Sequence, residues 1–286
     1  GEPLSPQLIN DALPSACEGL NEGHWQRAAE AILTTDTRAK VASRVVSISG
    51  ADVTLTGMAK GAGMIRPDMA TMLAFIATDA EVSLAGLDRL FRQAVSASFN
   101  RITVDGDTST NDAAMLVATG CSGIAIETAG ADELTLFTEA LESLCLELAQ
   151  AIIRDGEGAT KFVEVKVDGG IDADECDAVA FTIAHSPLVK TALFASDPNW
   201  GRLLAAIGRA GLKNLCVEDV SLYLNDVLIA VNGARAPDYT EAKGQAAMAS
   251  PELAIRVDLN RGATSSRVWT TDFSYEYVRI NAEYRT

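Results

Sequence analysis

The sequence predicts a layered α/β protein in which helices cover the outer faces of mixed sheets. Several segments, such as FVEVKVDGG (162–170), alternate apolar and polar residues, which is the pattern of half-buried strands. The stretch 131–155 instead repeats apolar residues at steps of three and four and forms one helical stripe, Leu134, Phe137, Leu141, Leu144, Leu148 and Ile152. Such a helix needs a sheet or another helix to cover its stripe, and hairpin patterns elsewhere favour antiparallel pairing.

Helices and strands alternate in the first half of the chain. Residues 6–33 are interpreted as two helical segments that end at the cap-prone TTDT. Alternation on both sides of a Ser-Gly-Ala-Asp turn predicts a hairpin over about 41–57. The apolar run 72–80 predicts a strand, Ser83 is expected to cap a helix, and 113–120 predicts another buried strand.

The second half is predicted to contain more strands than helices. A helix is expected around 173–185, a strand at LVKTALFAS (188–196), and an exposed segment at DPNWGR. A hairpin turning at Asn225-Asp226 is predicted within 217–232, and further strands are predicted in roughly the last 35 residues. The chain has no repeat or Pro/Ser-rich linker, so a subdivision near residue 187 is the only boundary suggested within this half.

The composition is that of an acidic globular protein. The 286 residues include 39 acidic and 23 basic side chains, with a net charge of −16 and a pI near 4.5, which disfavours nucleic-acid binding. There is no apolar run of about 18 residues and no signal-like N-terminus, so we expect neither a membrane span nor export, but a cytoplasmic protein. Five scattered cysteines and two histidines without ligand spacing predict reduced thiols and no metal site.

Thr71 lies where the flexible passage KGAGMIRPDMATMLAF (60–75) enters an apolar strand. A threonine hydroxyl is a weak nucleophile until a base assists it, and neither histidine lies in a recognisable nucleophile motif. If the bond before Thr71 is cut, the new α-amine, with a reference pKa of about 7.7 to 8.0, can serve as that base. The small Ala70, the glycines and the strand that follows permit this chemistry, but they fit an ordinary strand threonine as well.

Two other polar segments have structural and functional interpretations. VDGDTSTND (104–112) is acidic enough for a cation loop but lacks EF-hand spacing, so loop packing near the nucleophile is favoured. SDPNWGR (196–202) is favoured as a folded loop anchored by Trp200 rather than as a substrate contact.

Five motifs together resemble the ornithine acetyltransferase family, also called glutamate N-acetyltransferase. They are KGAGMIRPDMATMLAF, FNRITVDGDTSTND, RDGEGATKFVEV, SPLVKTALFASDPNWGR and YEYVRINAEYRT, and the likeness runs from TTDTR to the last residue. The resemblance implies an αββα sandwich of the N-terminal-nucleophile type. It also implies self-cleavage between Ala70 and Thr71, which divides the sequence into an upstream portion, 1–70, and a product, 71–286.

The reaction implied by this resemblance is acetyl transfer from N2-acetylornithine to glutamate. Thr71 would carry the acetyl group in a ping-pong cycle that releases ornithine and then N-acetylglutamate. No cofactor is expected, and acetyl-CoA is compatible as an alternative donor. The two products of the precursor would assemble as an α2β2 heterotetramer, with no nucleic-acid or membrane partner.

The same resemblance implies a set of substrate-binding residues: Thr34, Lys60, Thr71, Glu157, Asn281 and Thr286. A lysine suits a substrate carboxylate and Glu157 suits an ammonium. Thr35 is adjacent to Thr34, so that assignment stays open by one residue. The family's oxyanion-hole Thr-Gly pair belongs before Gly1, and the sequence is therefore expected to be part of a longer polypeptide.

Two other functions remain as alternatives at this stage. A hydrolase of the N-terminal-nucleophile aminopeptidase or amidase type would share the sandwich and the self-cleavage but would use water as the acceptor. A non-catalytic, amino-acid-binding relative would share only the fold and the binding residues.

Overall fold

Two mixed sheets, each covered by helices, form the protein. The computed structural model describes residues 3, 5–66, 72–109 and 111–284. Its N-terminal portion begins with helix α1 (Pro6–Glu18), a 3₁₀ turn at Glu22–His24 and helix α2 (Trp25–Ala31). The two helical segments predicted for 6–33 are therefore confirmed.

The first sheet has four strands in the order β1-β2-β3-β4. They are β1 (Lys40–Ile48), β2 (Ala51–Lys60), β3 (Leu73–Thr78) and β4 (Ala113–Ala118). Pairing is antiparallel from β1 to β3 and parallel between β3 and β4. The predicted hairpin is confirmed, with Ser49 and Gly50 at positive φ in its turn.

Helices α3 (Leu84–Ala97) and α4 (Ala131–Arg154) cover this sheet. The predicted stripe of α4 is buried at five of its six positions, and Leu134 packs against the same core at its edge. Gly57 of β2 permits this close packing, since a Cβ there would come within 3.0 Å of Leu144 and 3.1 Å of Leu148. Ser83 caps α3 as predicted, by accepting the Gly86 N–H.

The second sheet has six strands in the order β10-β5-β9-β6-β7-β8. They are β5 (Phe162–Gly170), β6 (Ser221–Leu224), β7 (Val227–Val231), β8 (Ala234–Arg235), β9 (Glu252–Asp258) and β10 (Thr264–Thr271). Strands β5 and β9 are parallel, and the other neighbours are antiparallel. The hairpin predicted at Asn225-Asp226 joins β6 to β7.

Four helices accompany this sheet: α5 (Ala173–Ala184), α6 (Pro187–Phe194), α7 (Trp200–Gly208) and α8 (Glu241–Met248). Helix α9 (Tyr275–Glu283) follows β10, and its Tyr277 packs against the core of the first sheet. Shorter 3₁₀ turns lie at Phe99–Arg101, Ile126–Thr128 and Val217–Asp219. The two sheets meet where Ile102 forms a parallel bridge with Trp269 of β10, and Thr103 donates its N–H to the Trp269 carbonyl at 3.0 Å. Trp269 thereby belongs to the core of the first sheet while Val268 faces the second.

The structure corrects several sequence predictions of local structure. LVKTALFAS is helix α6 rather than a strand, because Ser186 caps it, Pro187 begins it and its apolar residues Val189 and Leu193 lie one turn apart. The further strands predicted in the last 35 residues or so are present as β9 and β10, and helix α9, capped by Ser274, follows them.

The strand predicted at 113–120 is β4, but its residues are half-buried or exposed rather than buried. DPNWGR is not an exposed segment, since α7 begins at Trp200 and only Gly201 of these six residues is exposed. The layered α/β class with mixed sheets and helical cover is confirmed.

Candidate functional site

Three of the predicted site residues, Ala70, Thr71 and Thr286, lie outside the described residues. The site is therefore defined by the residues around them: the end of β2, the loop 61–66 that follows it, the start of β3, the loop 102–112, the turn after α4, and α9.

Glu157 and Asn281, predicted separately as binding residues, lie together. Asn281 on α9 donates its Nδ2 hydrogen to Glu157 Oε2 at 2.7 Å. Glu157 is 9% exposed, and its N–H donates to the Ala62 carbonyl at 2.8 Å. Its carboxylate packs so close to Gly63 that a Cβ there would come within 2.4 Å of Oε2. A side chain at position 63 would therefore displace this carboxylate.

The segment after Glu157 is held against the start of α9. Ser274 donates its hydroxyl to the Gly158 carbonyl at 2.6 Å, and Gly158 has a φ of +66°. Asp272 accepts the Thr160 N–H at 2.8 Å and the Lys161 N–H at 2.9 Å. These contacts fix the distance between Glu157 and the helix that carries Asn281.

Lys60 lies at the opposite end of the same loop. It is the last residue of β2, is only 7% exposed, and pairs in register with Leu73 of β3. The next residue, Gly61, donates its N–H to Asp36 Oδ1 at 2.7 Å. The predicted binding residue Thr34 is tied to the same carboxylate, because its N–H donates to Asp36 Oδ2 at 3.3 Å.

A buried charge cluster supports this end of the site. Lys40 Nζ contacts Asp36 Oδ1 and Asp155 Oδ2, each at 2.6 Å, and all three side chains are at most 3% exposed. Burial by itself would raise the pKa of Asp36, but hydrogen bonds from Gly61 and Lys40 outweigh it and lower that pKa. Since Asp155 follows α4 and Asp36 precedes β1, this cluster connects the Thr34 segment to the turn that carries Glu157.

The acidic loop 102–112 contacts the chain on both sides of the predicted cleavage junction. Asp105 accepts the N–H groups of Met64 (2.8 Å) and Ile65 (3.2 Å), and Asp112 accepts that of Met72 at 2.8 Å. Burial raises the pKa of the Asp105 carboxyl despite these bonds. The loop therefore packs against the chain on both sides of the predicted junction. The described residues contain no cluster of His, Cys, Asp and Glu suited to a metal ion.

His185 packs behind this loop. Its Nε2 is 3.1 Å from Thr103 Oγ1, and a Cβ at Gly106 would lie 3.3 Å from its ring. Burial, with smaller effects from Arg66 and other cations, lowers the pKa of His185 to about 4. A neutral, packed histidine is consistent with the poor case for a Ser-His-Asp type of triad.

Charges of opposite sign therefore flank the glycine loop. The Lys60 ammonium lies at its start, while the Glu157 carboxylate lies under its middle and also receives the Asn281 amide. An amino acid carries a carboxylate and an ammonium, so this pair of charges suits recognition of both ends of such a molecule. The supporting residues Asp36, Asp105, Asp112 and Asp155 were not identified individually from the sequence, since their partners lie up to 172 positions away.

Comparisons with known proteins agree with this geometry. The model of the ArgJ family matches residues 1–286. The arginine biosynthesis bifunctional protein ArgJ of Pseudomonas fluorescens (strain Pf0-1) is 55% identical over 287 residues, which cover 100% of this chain and 71% of that protein. The protein of the same name from Methylococcus capsulatus is 54% identical over 286 residues, with 100% and 70% covered.

A solved structure is also similar. The crystal structure of the arginine biosynthesis bifunctional protein ArgJ from Bacillus halodurans is 36% identical, with a TM-score of 0.68, over 73% of this chain and 98% of that chain. The fold, the site and these relatives define an enzyme of the acyltransferase class, as the motifs predicted. The chain belongs to the ArgJ family.

None of the helices in the described ranges is long and apolar enough to span a membrane.

Proposed function

We propose that this chain transfers an acetyl group from N2-acetylornithine to glutamate through an acetyl ester on Thr71, after cleavage of the Ala70-Thr71 bond. The observation that carries the proposal is the contact between Asn281 and Glu157, two predicted substrate residues 124 positions apart that meet below the loop leading to the junction. Lys60, at the start of that loop, supplies the opposite charge.

Each side chain has a role in this proposal. Lys60 binds the α-carboxylate of the donor or acceptor, and Glu157, oriented by Asn281, binds an ammonium group. The α-amine of Thr71 takes the hydroxyl proton as Oγ attacks the acetyl carbonyl, and that proton then passes to the departing amine. Thr34 and Thr286 complete the proposed binding set.

The share of this chain that aligns with the Bacillus halodurans structure is close to the share that cleavage after residue 70 would leave. Cutting after residue 70 would leave 216 of the 286 residues, about three quarters of the sequence. The alignment with that solved chain spans 73% of this chain and nearly all of that one.

Mass spectrometry of the freshly purified, full-length protein tests the cleavage. We expect two polypeptides that separate at Ala70-Thr71, and a Thr71→Ala variant that stays uncut and transfers no acetyl group. Thr135→Ala is the matched control, because Thr135 is an exposed residue of α4 remote from the loop, and it should be cut and active. Transfer by the Thr71→Ala variant would refute the proposed nucleophile.

The acceptor and donor are tested in the same assay. Acetylglutamate should accumulate in preference to acetate. Double-reciprocal plots of initial rate against acetylornithine concentration, measured at several glutamate concentrations, should be parallel, as a ping-pong cycle requires. Predominant release of acetate would instead identify a hydrolase. The relatives from Pseudomonas fluorescens and Methylococcus capsulatus are named bifunctional, which favours acetyl-CoA as a second donor. Replacing acetylornithine by acetyl-CoA should therefore also yield acetylglutamate.

We further propose an α2β2 heterotetramer in the cytoplasm. Native mass spectrometry should find two copies of each cleavage product in one assembly, whereas a single copy of each would contradict this stoichiometry.

A further inference from the structure

Met64, in the middle of the loop 61–66, has a backbone conformation that a large side chain rarely adopts. Its φ is +53°, in the left-handed region, where a Cβ lies unfavourably close to the following carbonyl oxygen. The other non-glycine residues that the structure describes at positive φ are all small and polar: Ser49, Ser196, Asn214, Asn225, Asn232 and Asn260. A turn alone therefore does not account for methionine at this position.

Polar contacts to Asp105 hold Met64 in this conformation. Asp105 Oδ2 accepts the Met64 N–H at 2.8 Å, and Oδ1 accepts the Ile65 N–H at 3.2 Å. The carboxylate is itself fixed, because Tyr277 of α9 donates its hydroxyl to Oδ2 at 3.4 Å and Asp107 donates its N–H to Oδ1 at 3.2 Å. Ile65 is fully buried in the first core. The left-handed conformation of Met64 persists because these surroundings determine it.

The Met64 side chain remains 47% exposed, although the next residue is completely buried. Single exposed apolar residues are common on protein surfaces. Here, however, hydrogen bonds hold the backbone in an unfavourable conformation that leaves an apolar side chain in water. Backbone strain of this kind occurs mainly at ligand-binding and catalytic positions, and the flexible thioether side chain of methionine adapts to the shape of an apolar group. The combination indicates an apolar contact with a bound molecule.

Met64 lies close to the carboxylate that binds an ammonium in the proposed function. A Cβ at Gly63 would be 2.4 Å from Glu157 Oε2. With a C–C bond of about 1.5 Å and consecutive Cα atoms about 3.8 Å apart, the Met64 Cα lies within about 7.7 Å of that oxygen. The α-nitrogen of N2-acetylornithine is acylated and uncharged, so the only ammonium of this donor is at the end of its side chain. Three methylene groups join that ammonium to the α-carbon.

We propose that Met64 is a specificity-determining residue whose side chain contacts the methylene groups of the donor side chain. The inference rests on the proposed function, in which Glu157 binds the ammonium of the donor and Lys60 binds its carboxylate. These two charges recognise only the ends of the molecule. Contact with Met64 adds recognition of the chain between them, because each methylene removed from water strengthens binding about fourfold. Partial cover of the three methylenes therefore contributes about tenfold in affinity.

The test compares Met64→Gln and Met64→Leu with wild type as the full chain. Glutamine matches methionine in length but is polar at its end, whereas leucine keeps an apolar side chain. Position 64 is exposed to solvent, so both variants should be cleaved and should melt as wild type does. We expect Met64→Gln to raise the KM for acetylornithine about tenfold with kcat within about twofold, and Met64→Leu to stay within about threefold of the wild-type KM.

Leu136→Gln is the matched control. Leu136 is an apolar residue of similar exposure, 48%, and lies about 27 Å along α4 from the end of that helix at Arg154. Its KM should equal that of wild type. A second measurement does not depend on transfer. Titration calorimetry with ornithine, the deacetylated product, should give a Kd about tenfold higher for Met64→Gln than for wild type, and a Kd within about threefold of wild type for Met64→Leu.

The outcomes separate this inference from the proposed function. A Met64→Gln variant with the wild-type KM or the wild-type Kd for ornithine overturns the role of Met64, and so does a Met64→Leu variant that is as impaired as Met64→Gln. A folded variant that stays uncut also overturns it, because the donor has no part in the cleavage. Wild-type protein that binds ornithine but transfers no acetyl group would refute the proposed function, and the ornithine titrations would still decide the role of Met64. Wild-type protein that does not bind ornithine would overturn both.

Discussion

Replacement of Gly158 by alanine tests whether the spacing between Glu157 and α9 controls activity. The residue has a φ of +66°, where a side chain costs about 1 kcal/mol or more. Its Cβ would lie 2.4 Å from the Tyr277 nitrogen, so the backbone of α9 must move by about 1 Å before the contact reaches an ordinary 3.4 Å. The same movement opens the Asn281–Glu157 hydrogen bond from 2.7 Å to beyond hydrogen-bonding distance.

A displacement of about 1 Å in a substrate-positioning group can lower the rate about 100-fold. We therefore expect Gly158→Ala to be cleaved normally and to lose about two orders of magnitude in kcat/KM for acetyl transfer, with a stability loss of about 1 to 3 kcal/mol. Steady-state kinetics on the cleaved protein, with a thermal melt, measures both effects.

Gly208→Ala is the matched control for this substitution. A Cβ at Gly208, at the end of α7, meets nothing within 4 Å. This variant should keep the wild-type rate and gain about 0.5 to 1 kcal/mol, as alanine does relative to glycine in a helix. Full activity of Gly158→Ala would show that the position of α9 does not govern catalysis.

Three further predictions concern buried groups and a helix cap. Burial lowers the pKa of Lys190 to about 7, so the cost of its buried charge is full below pH 7 and falls as pH rises. The free energy of unfolding of Lys190→Met relative to that of wild type, measured by urea denaturation, should therefore fall by about 2 kcal/mol between pH 7 and pH 9. The same difference for Lys213→Met, at an exposed position, is the control and should not follow this trend. Burial raises the pKa of the Cys145 thiol to about 12, so native protein treated with iodoacetamide at pH 8 should be labelled at exposed Cys121 but not at Cys145. Ser83→Ala removes the acceptor for the Gly86 N–H and should lower stability by about 1 kcal/mol without changing kcat; an unchanged melting temperature would contradict the cap's contribution.

The sequence was sufficient to predict a helix or strand where the local pattern of apolar residues coincides with the face that the fold buries. The stripe of α4 and the alternation of β5 predicted their elements correctly, because each places its apolar residues on one face at its own period. The prediction failed at 188–196, where a short apolar run is compatible with a strand or a buried helix. There the Ser186 cap and packing in the second core select helix α6.

Motifs alone identified the family, and they are also the source of the proposed nucleophile and the proposed substrate residues, since these depend on residue identity at fixed positions. Only the tertiary structure decided that Asn281 meets Glu157 under the glycine loop, and that Asp105 and Asp112 hold the chain on either side of the junction. The physical reason is that these contacts join residues about 40 to 124 positions apart. Their formation depends on strand register and on which helix packs against which sheet, and no local periodicity encodes either.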